Sequence, residues 1–152
     1  MSSEWVLLAY RIPREPSTPR ISVWRKLRRL GAVQLLDGLV ALPHDARTKE
    51  HLEWIAEEVT AAGGEANLWI GQPATKAQQR ALTAQVTTEA ELAYQAIADE
   101  AATADAGKRT LARLRRDLKR VRQRDYFPGD GYERAVAAIE ALAAKLGEPV
   151  PR

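Results

Sequence analysis

A two-residue turn signal in the first third of the chain most restricts the possible folds. Asp37-Gly38 separates two short apolar runs, residues 32–36 and 39–42. Asp-Gly between apolar runs is typical of a β-hairpin with a type I′ turn, in which both central residues adopt positive φ. The sequence therefore predicts two antiparallel strands joined by a type I′ turn at this point.

The segments on either side of this hairpin complete an alternation of strands and helices. Strands are predicted at 5–12 and 65–70, and helices at 19–30 and 45–62, where apolar residues recur every three or four positions. Thr18 and Asp45 are the expected N-caps. Strand, helix, strand, strand, helix and strand within about 70 residues is the ferredoxin-like arrangement. We expect an α+β protein whose ferredoxin-like βαββαβ domain covers 1–73.

The pattern of apolar side chains predicts which residues form the core of this domain. Both faces of the first strand are apolar, which predicts burial on both sides of the sheet by a homodimer partner or by later helices. All four tryptophans are expected in the core, because a tryptophan on an apolar stripe is usually buried: Trp5, Trp24, Trp54 and Trp69.

A helical extension is predicted over 74–152. An acidic helix covers 75–105, with a candidate interruption at Thr87-Thr88, where Thr88 and Glu91 fit a capping box. A basic helix follows at 108–124 and a last helix at 132–146.

The basic helix carries nine Lys or Arg residues and one acid, Asp117. Leu111, Leu114, Leu118 and Val121 form a narrow apolar seam, and one row of guanidiniums points away from it: Arg109, Arg113, Arg116 and Arg120. Because like charges at i,i+4 repel, the row predicts an extended anionic partner. Double-stranded DNA is our leading interpretation, with Arg25, Lys26 and Arg29 as supporting contacts. The alternative is that these cations only neutralise the acidic helix.

Composition and motif spacing exclude several other classes. The chain has no cysteine, which excludes disulfides and thiolate metal sites. No apolar run approaches the roughly 20 residues that span a bilayer, and no signal peptide is recognisable, so we expect no membrane association and a cytoplasmic location. His44 and His51 are seven residues apart, too far to share a metal ion on a helix. We expect no catalytic site, metal or cofactor.

Residues 20–32, followed by Asp37-Gly38, Leu42-Pro43 and Gly63-Gly64, resemble the N-terminal domain of ChrB, the bacterial chromate resistance protein. The arginine-rich helix running into residues 124–127 is similar as well. The resemblance implies a transcriptional regulator of a chromate-inducible resistance operon that binds promoter DNA and responds to chromate. Longer family members add a C-terminal domain that this sequence lacks, which leaves a non-enzymatic interaction or dimerisation module as the alternative function. An enzyme acting on an anionic substrate ranks last.

The first 70 residues also look like small CRISPR-associated ferredoxin-like nucleases and the related domain of phenylacetate-pathway repressors. Those nucleases carry a metal-binding aspartate near the end of the first strand, where this chain has Tyr10-Arg11-Ile12. The departure favours binding over cleavage, because neither a hydroxyl nor a guanidinium holds Mg²⁺ as a carboxylate does. If chromate is sensed, the oxyanion needs converging donors, and the candidates are Arg11, Arg14 and Arg20.

Overall fold

The computed structural model describes residues 4–148 and has an α+β fold. Its residues form two compact units divided between Thr83 and Ala84. We call residues 4–83 the sheet unit and residues 84–148 the helical unit. The predicted division lay at residues 73 and 74. The sheet unit extends further because the first turns of a long helix belong to it.

The elements of the sheet unit are β1 (Trp5–Arg11), α1 (Ser17–Leu30), β2 (Val33–Leu36), β3 (Leu39–Pro43), α2 (Ala46–Ala61) and β4 (Glu65–Gly71). The strands form a four-stranded antiparallel sheet in the order β2-β3-β1-β4, which confirms the ferredoxin-like prediction. Strands β3 and β1 are central, and β2 and β4 are the two edge strands.

The core of this unit is made by apolar side chains at the predicted helical and strand spacings. Val6 and Leu8 of β1 are fully buried, and α1 buries Val23 and Leu27. From α2, the buried residues include Leu52, Ile55 and Val59. Each such side chain contributes about 1.5–3 kcal/mol relative to an exposed one.

The hairpin turn differs from the predicted type I′ turn. Gly38 has a φ of 77°, but Asp37 does not have a positive φ, so the type I′ prediction was wrong. The strand pairing shifts between Gln34 and Leu36, and this irregularity in β2 supplies twist that a primed turn would otherwise provide. Glycine is required at position 38, because an added Cβ would lie 2.4 Å from the carbonyl oxygen of Tyr10.

The two helix starts had different outcomes. Asp45 caps α2 as predicted: its carboxylate accepts from the Thr48 backbone N–H at 2.7 Å, and the Thr48 hydroxyl accepts from the Asp45 N–H at 3.0 Å. The prediction for Thr18 was wrong. Helix α1 begins at Ser17 after an N-cap at Pro16 without a side-chain cap, which leaves Thr18 inside the first turn.

Only one of the four tryptophans lies in the core. Trp5 is buried, whereas Trp24, Trp54 and Trp69 are 51%, 57% and 63% exposed, so three of the four predictions were wrong. Trp24 lies beside the buried stripe of α1 with the Arg28 guanidinium 5.0 Å from its ring centre. His51 packs edge-on against Trp54. Trp69 lies on an edge strand, where one neighbouring strand is missing.

The second face of β1 is covered in part by the chain itself. The helix α3 (Lys76–Ala101) begins in the sheet unit, and the Trp5 indole donates to the side-chain oxygen of Gln79 at 2.9 Å. Leu82 lines the same hollow as Leu7, a space of about 390 Å³. Burial by a later helix is therefore confirmed at this end of β1, and the homodimer stays a prediction.

The helical unit comprises the rest of α3 with α4 (Lys108–Gln123) and α5 (Gly131–Leu146). Helix α3 is continuous and ends at Ala101, so the interruption and the Thr88 capping box were wrong. Buried residues continue along one stripe of this helix, and their packing outweighs the weak helix preference of the threonines. The core of the unit includes Ala90, Tyr94, Ile97, Leu111, Leu114, Val121, Ile139 and Leu142.

A polar connection joins α3 to the segment after α4. The buried Tyr94 hydroxyl donates to the Asp125 carboxylate at 2.9 Å, and the Tyr94 ring packs against Tyr132. Glu91 accepts from the Gly131 N–H at 3.3 Å and from the Arg134 guanidinium at 3.0 Å. These contacts fix the start of α5 against α3.

Alkaline pH is expected to destabilise the helical unit through Tyr94. Burial, followed by the hydrogen bond to Asp125, raises the pKa of Tyr94 above its usual value. In the unfolded chain a tyrosine ionises near pH 10, so this stabilisation is complete below about pH 10 and is lost as pH rises further. Thermal unfolding of wild type and Tyr94→Phe between pH 8 and 11 measures it. Phenylalanine should cost about 1 kcal/mol at pH 8 and give a shallower alkaline decline. An equal decline in both proteins would contradict the assignment.

Among the described residues, every helix is too short or too polar to cross a lipid bilayer.

Candidate nucleic-acid interface

Helix α4 is held in place by a narrow apolar seam, as its sequence predicts. Leu111, Leu114 and Val121 are buried, and Leu118 packs at the edge of the same core. Gly107 is the N-cap, with no side-chain cap. Because the seam occupies only one side, the rest of the helix surface is available to charged side chains.

The predicted arginine row lies on the exposed side of α4. Its members are Arg109, Arg113, Arg116 and Arg120, and all four are exposed to solvent. At about 1.5 Å per residue the row extends along roughly 16 Å of helix. The structure thus places these four side chains on one surface of one helix, and their contact with DNA stays a prediction.

Intramolecular ion pairs involve half of this row. Arg113 pairs with Glu100 of α3 and with Asp117 at 3.2 Å, and Arg120 lies 4.0 Å from Asp117. Within residues 4–148, Arg109 and Arg116 have no acidic partner. The alternative that the acidic helix neutralises the row therefore applies to Arg113 alone. An exposed pair of this kind contributes only about 0–1 kcal/mol, so Arg113 can exchange Glu100 for a phosphate at small cost.

A second group of cations lies between α4 and α5. The Arg122 guanidinium lies 3.8 Å from the ring centre of Tyr132, and Arg115, Arg116 and Lys119 line the same hollow of about 380 Å³. The sequence pattern did not identify Arg115, Lys119 or Arg122 as contacts. Helical spacing could have placed these three cations on the surface of α4. It could not have shown that the Tyr132 ring of α5 stacks on Arg122.

The supporting cations of α1 belong to the sheet unit. Arg25, Lys26 and Arg29 are exposed, and Lys26 pairs with Glu58 of α2. Lys26 and Arg29 line a hollow of about 290 Å³ together with Trp54 and His51. This places two of the three predicted α1 cations beside an exposed indole ring.

The three arginines proposed for an oxyanion differ in their surroundings. Arg11 pairs with Glu65 at 3.0 Å, its partner in the β1–β4 register. Arg14, between β1 and α1, and Arg20, on α1, are exposed and lack an acidic partner in the described part of the chain. The oxyanion site stays a prediction.

Two comparisons with known proteins agree on the family. The family described as "Protein ChrB, N-terminal" matches residues 20–106, which is more than half of the chain. The chain belongs to this family. It is also 29% identical over 159 aligned residues to "Protein ChrB" from Cupriavidus metallidurans strain CH34, an alignment that covers 95% of this chain and 49% of that protein. The chain thus spans about half the length of this ChrB relative. No solved structure matches it significantly.

The ChrB family match has a defined extent on the structure. It begins within α1 and ends at Ala106, one residue before the N-cap of α4. The cations of α1 therefore lie inside the matched region, and the α4 row lies beyond it. The α4 row is reached only by the longer alignment with the Cupriavidus protein.

The described part of this ChrB-family chain has no candidate metal centre. Within residues 4–148, no three His, Cys, Asp or Glu side chains are grouped so that they could hold a metal ion. The end of β1, where the resembling nucleases have an aspartate, holds Tyr10 and Arg11, and Arg11 is paired with Glu65.

Proposed function

We propose that this ChrB-family protein is a DNA-binding transcriptional regulator of chromate resistance, and that α4 contacts duplex DNA. The single observation that carries the DNA proposal is the arginine row on the exposed side of α4, where Arg109 and Arg116 have no acidic partner among the described residues. The chromate part rests on family membership. The proposed action is binding without catalysis, in the cytoplasm where promoter DNA lies.

The free energy of such binding would come mainly from phosphate contacts. Each phosphate neutralised by a cation releases condensed counterions, which contributes a slope of about −0.9 to the dependence of log affinity on log salt. The row supplies Arg109, Arg116 and Arg120, with Arg113 after it leaves Glu100. The α1 cations Arg25, Lys26 and Arg29 are proposed as supporting phosphate contacts of the sheet unit. A homodimer would present each group of cations twice.

A second candidate is a protein-interaction or dimerisation module, favoured by large apolar side chains exposed on the sheet unit. Trp54, Trp69 and Leu36 are each more than half exposed. Exposed apolar groups of this size often mark contacts with other proteins. This candidate predicts self-association or partner binding that does not depend on the α4 cations.

Removing the row should weaken DNA binding and flatten its salt dependence. The test variant is Arg109→Ala, Arg116→Ala and Arg120→Ala combined, titrated with a 30-base-pair duplex at two salt concentrations. We expect about a tenfold or greater loss of affinity, and a slope shallower by about 0.9 for each lost phosphate contact. Fluorescence anisotropy with labelled duplex measures both.

A matched control removes the same charge from other exposed positions, namely Lys49→Ala, Lys76→Ala and Arg80→Ala. An equal loss in this control would show that net charge matters and the row does not. Absence of wild-type binding would reject the DNA function in favour of the interaction module.

Adding chromate to the wild-type titration tests whether chromate changes the affinity for DNA, and an unchanged affinity would reject the proposed response to chromate. If chromate shifts the affinity for DNA, the substitutions Arg14→Ala and Arg20→Ala should abolish that shift.

A further inference from the structure

Cations on α4 occupy far more of the helix surface than the single row. At about 100° per residue, Arg113, Arg116, Lys119 and Arg122 follow one another at steps of about 60° and together cover about half of the circumference. The only acid of the helix, Asp117, lies outside this arc, on the side towards Glu100. The arc therefore presents positive charge on two opposite sides of α4 and between them.

The two sides of the arc are built differently. On one side, Asp117 holds Arg113 and Arg120 by ion pairs. On the other side, Tyr132 holds Arg122 by stacking at 3.8 Å. A guanidinium stacked on a ring keeps its N–H groups directed outward at its edge, where they can bind a phosphate. Both sides thus present oriented cationic groups to a ligand.

A helix that lies flat on a DNA backbone uses one strip of its surface. Cations about 180° apart on one helix cannot reach the same line of phosphates. The major groove of B-DNA is about 12 Å wide, admits one α-helix, and has a phosphate strand on each side. A half-circle of cations on α4 matches this geometry.

We infer that α4 inserts into the major groove of duplex DNA, with Arg113 and Arg120 facing one phosphate strand and Arg122 facing the other. Arg116 and Lys119 then face the base edges, so Arg116 reads bases in this arrangement instead of contacting phosphate. This inference rests on the proposed DNA-binding function and extends it. Ala112 lies between the two sides and is exposed, and its small side chain lets the helix backbone approach the bases. Arginine opposite guanine is the commonest specific contact in this groove.

Comparison of two duplexes separates groove insertion from general phosphate binding. Double-stranded RNA carries the same two phosphate charges per base pair, but its major groove is too deep and narrow for a helix to read. We therefore expect the full chain to bind a 30-base-pair DNA duplex at least about tenfold more tightly than an RNA duplex of the same sequence. Equal affinity for the two duplexes, lost in the triple row variant, would overturn groove insertion and leave DNA binding intact. Failure to bind either duplex would reject both proposals.

Single substitutions test the two sides and the centre. Arg120→Ala and Arg122→Ala should each flatten the salt slope by about 0.9, since each side meets its own phosphates. Arg122→Lys, which keeps the charge, controls for the lost stacking on Tyr132 and should restore the slope. An unchanged slope in Arg122→Ala would overturn the two-sided contact.

The centre is tested by selecting duplexes from a random pool with wild type and Arg116→Ala. Loss of a guanine preference of about tenfold at one position supports base reading, whereas a uniform loss of affinity at every position overturns it for Arg116.

Discussion

Replacing Gly64 with alanine should destabilise the sheet unit by about 3 kcal/mol, the upper end of the range for overpacking. An alanine Cβ at this position would lie 2.3 Å from the carbonyl oxygen of Arg11 and 3.1 Å from the Cα of Ile12. These are backbone atoms at the end of β1, a central strand, so they cannot move aside as the end of a side chain could. The Cγ1 atom of the buried Val59, at 2.9 Å, restricts the remaining direction.

The matched control for this prediction is Gly71→Ala, at the opposite end of β4 in the same sheet. Gly71 ends β4, and an added Cβ there meets no atom within 4 Å. Urea unfolding followed by circular dichroism compares both variants with wild type. We expect a change within about 1 kcal/mol for Gly71→Ala, the cost usual for a substitution away from packed groups. Equal urea unfolding midpoints for the two variants would show that the β1 backbone at Arg11 can shift at little cost in free energy.

The sequence predicted the order and type of every element of the sheet unit because local patterns determine them. Asp45 illustrates this: an N-cap needs only a carboxylate and the backbone three residues later, and Thr48 completes the cap. Thr18 had the same local chemistry, yet α1 begins one residue before it at Ser17. Pro19 is tolerated throughout the first turn of a helix, so the proline did not fix where the helix starts.

The tryptophans could not be assigned because periodicity alone does not give the width of a buried stripe. In α1, Val23 and Leu27 are buried against the sheet unit, and Trp24 is 100° further round the helix from Val23. In α2, Leu52 and Ile55 are buried and Trp54 falls beside them. A large aromatic side chain at such a margin can be half covered by a neighbour, as Trp24 is by Arg28, without entering the core.

The charged surface of α4 could be predicted only where it depends on helical spacing within one segment. The seam and the exposed row follow from helical spacing within one segment. The pairing of Arg113 with Glu100 depends on how α3 packs against α4, and the position of Arg122 depends on Tyr132 of α5. Both contacts join residues on separate helices, which no local pattern specifies.

Replacing Leu114 with alanine should destabilise the helical unit by about 3 kcal/mol, within the range for buried leucines, because it leaves a cavity in the core. Leu114 is 1% exposed and belongs to the cluster that includes Tyr94 and Ile139. The consequence extends to function. Helix α4 carries like charges at i,i+4 spacings and lacks a side-chain N-cap, so its seam is the main source of its stability.

The control for this variant is Leu92→Ala, which makes the same chemical change at an exposed position of α3 in the helical unit. Urea unfolding should separate the two variants by more than about 2 kcal/mol. DNA titration at increasing temperature should show Leu114→Ala losing affinity at a lower temperature than Leu92→Ala, because cations can bind two phosphate strands together only while the helix holds them in place. If Leu114→Ala unfolds at a lower temperature than Leu92→Ala but still binds DNA as wild type does above its own unfolding midpoint, the cations do not require a folded α4, and the groove geometry loses its role in binding. Equal unfolding midpoints for the two variants would show that the seam is not the main source of the stability of α4.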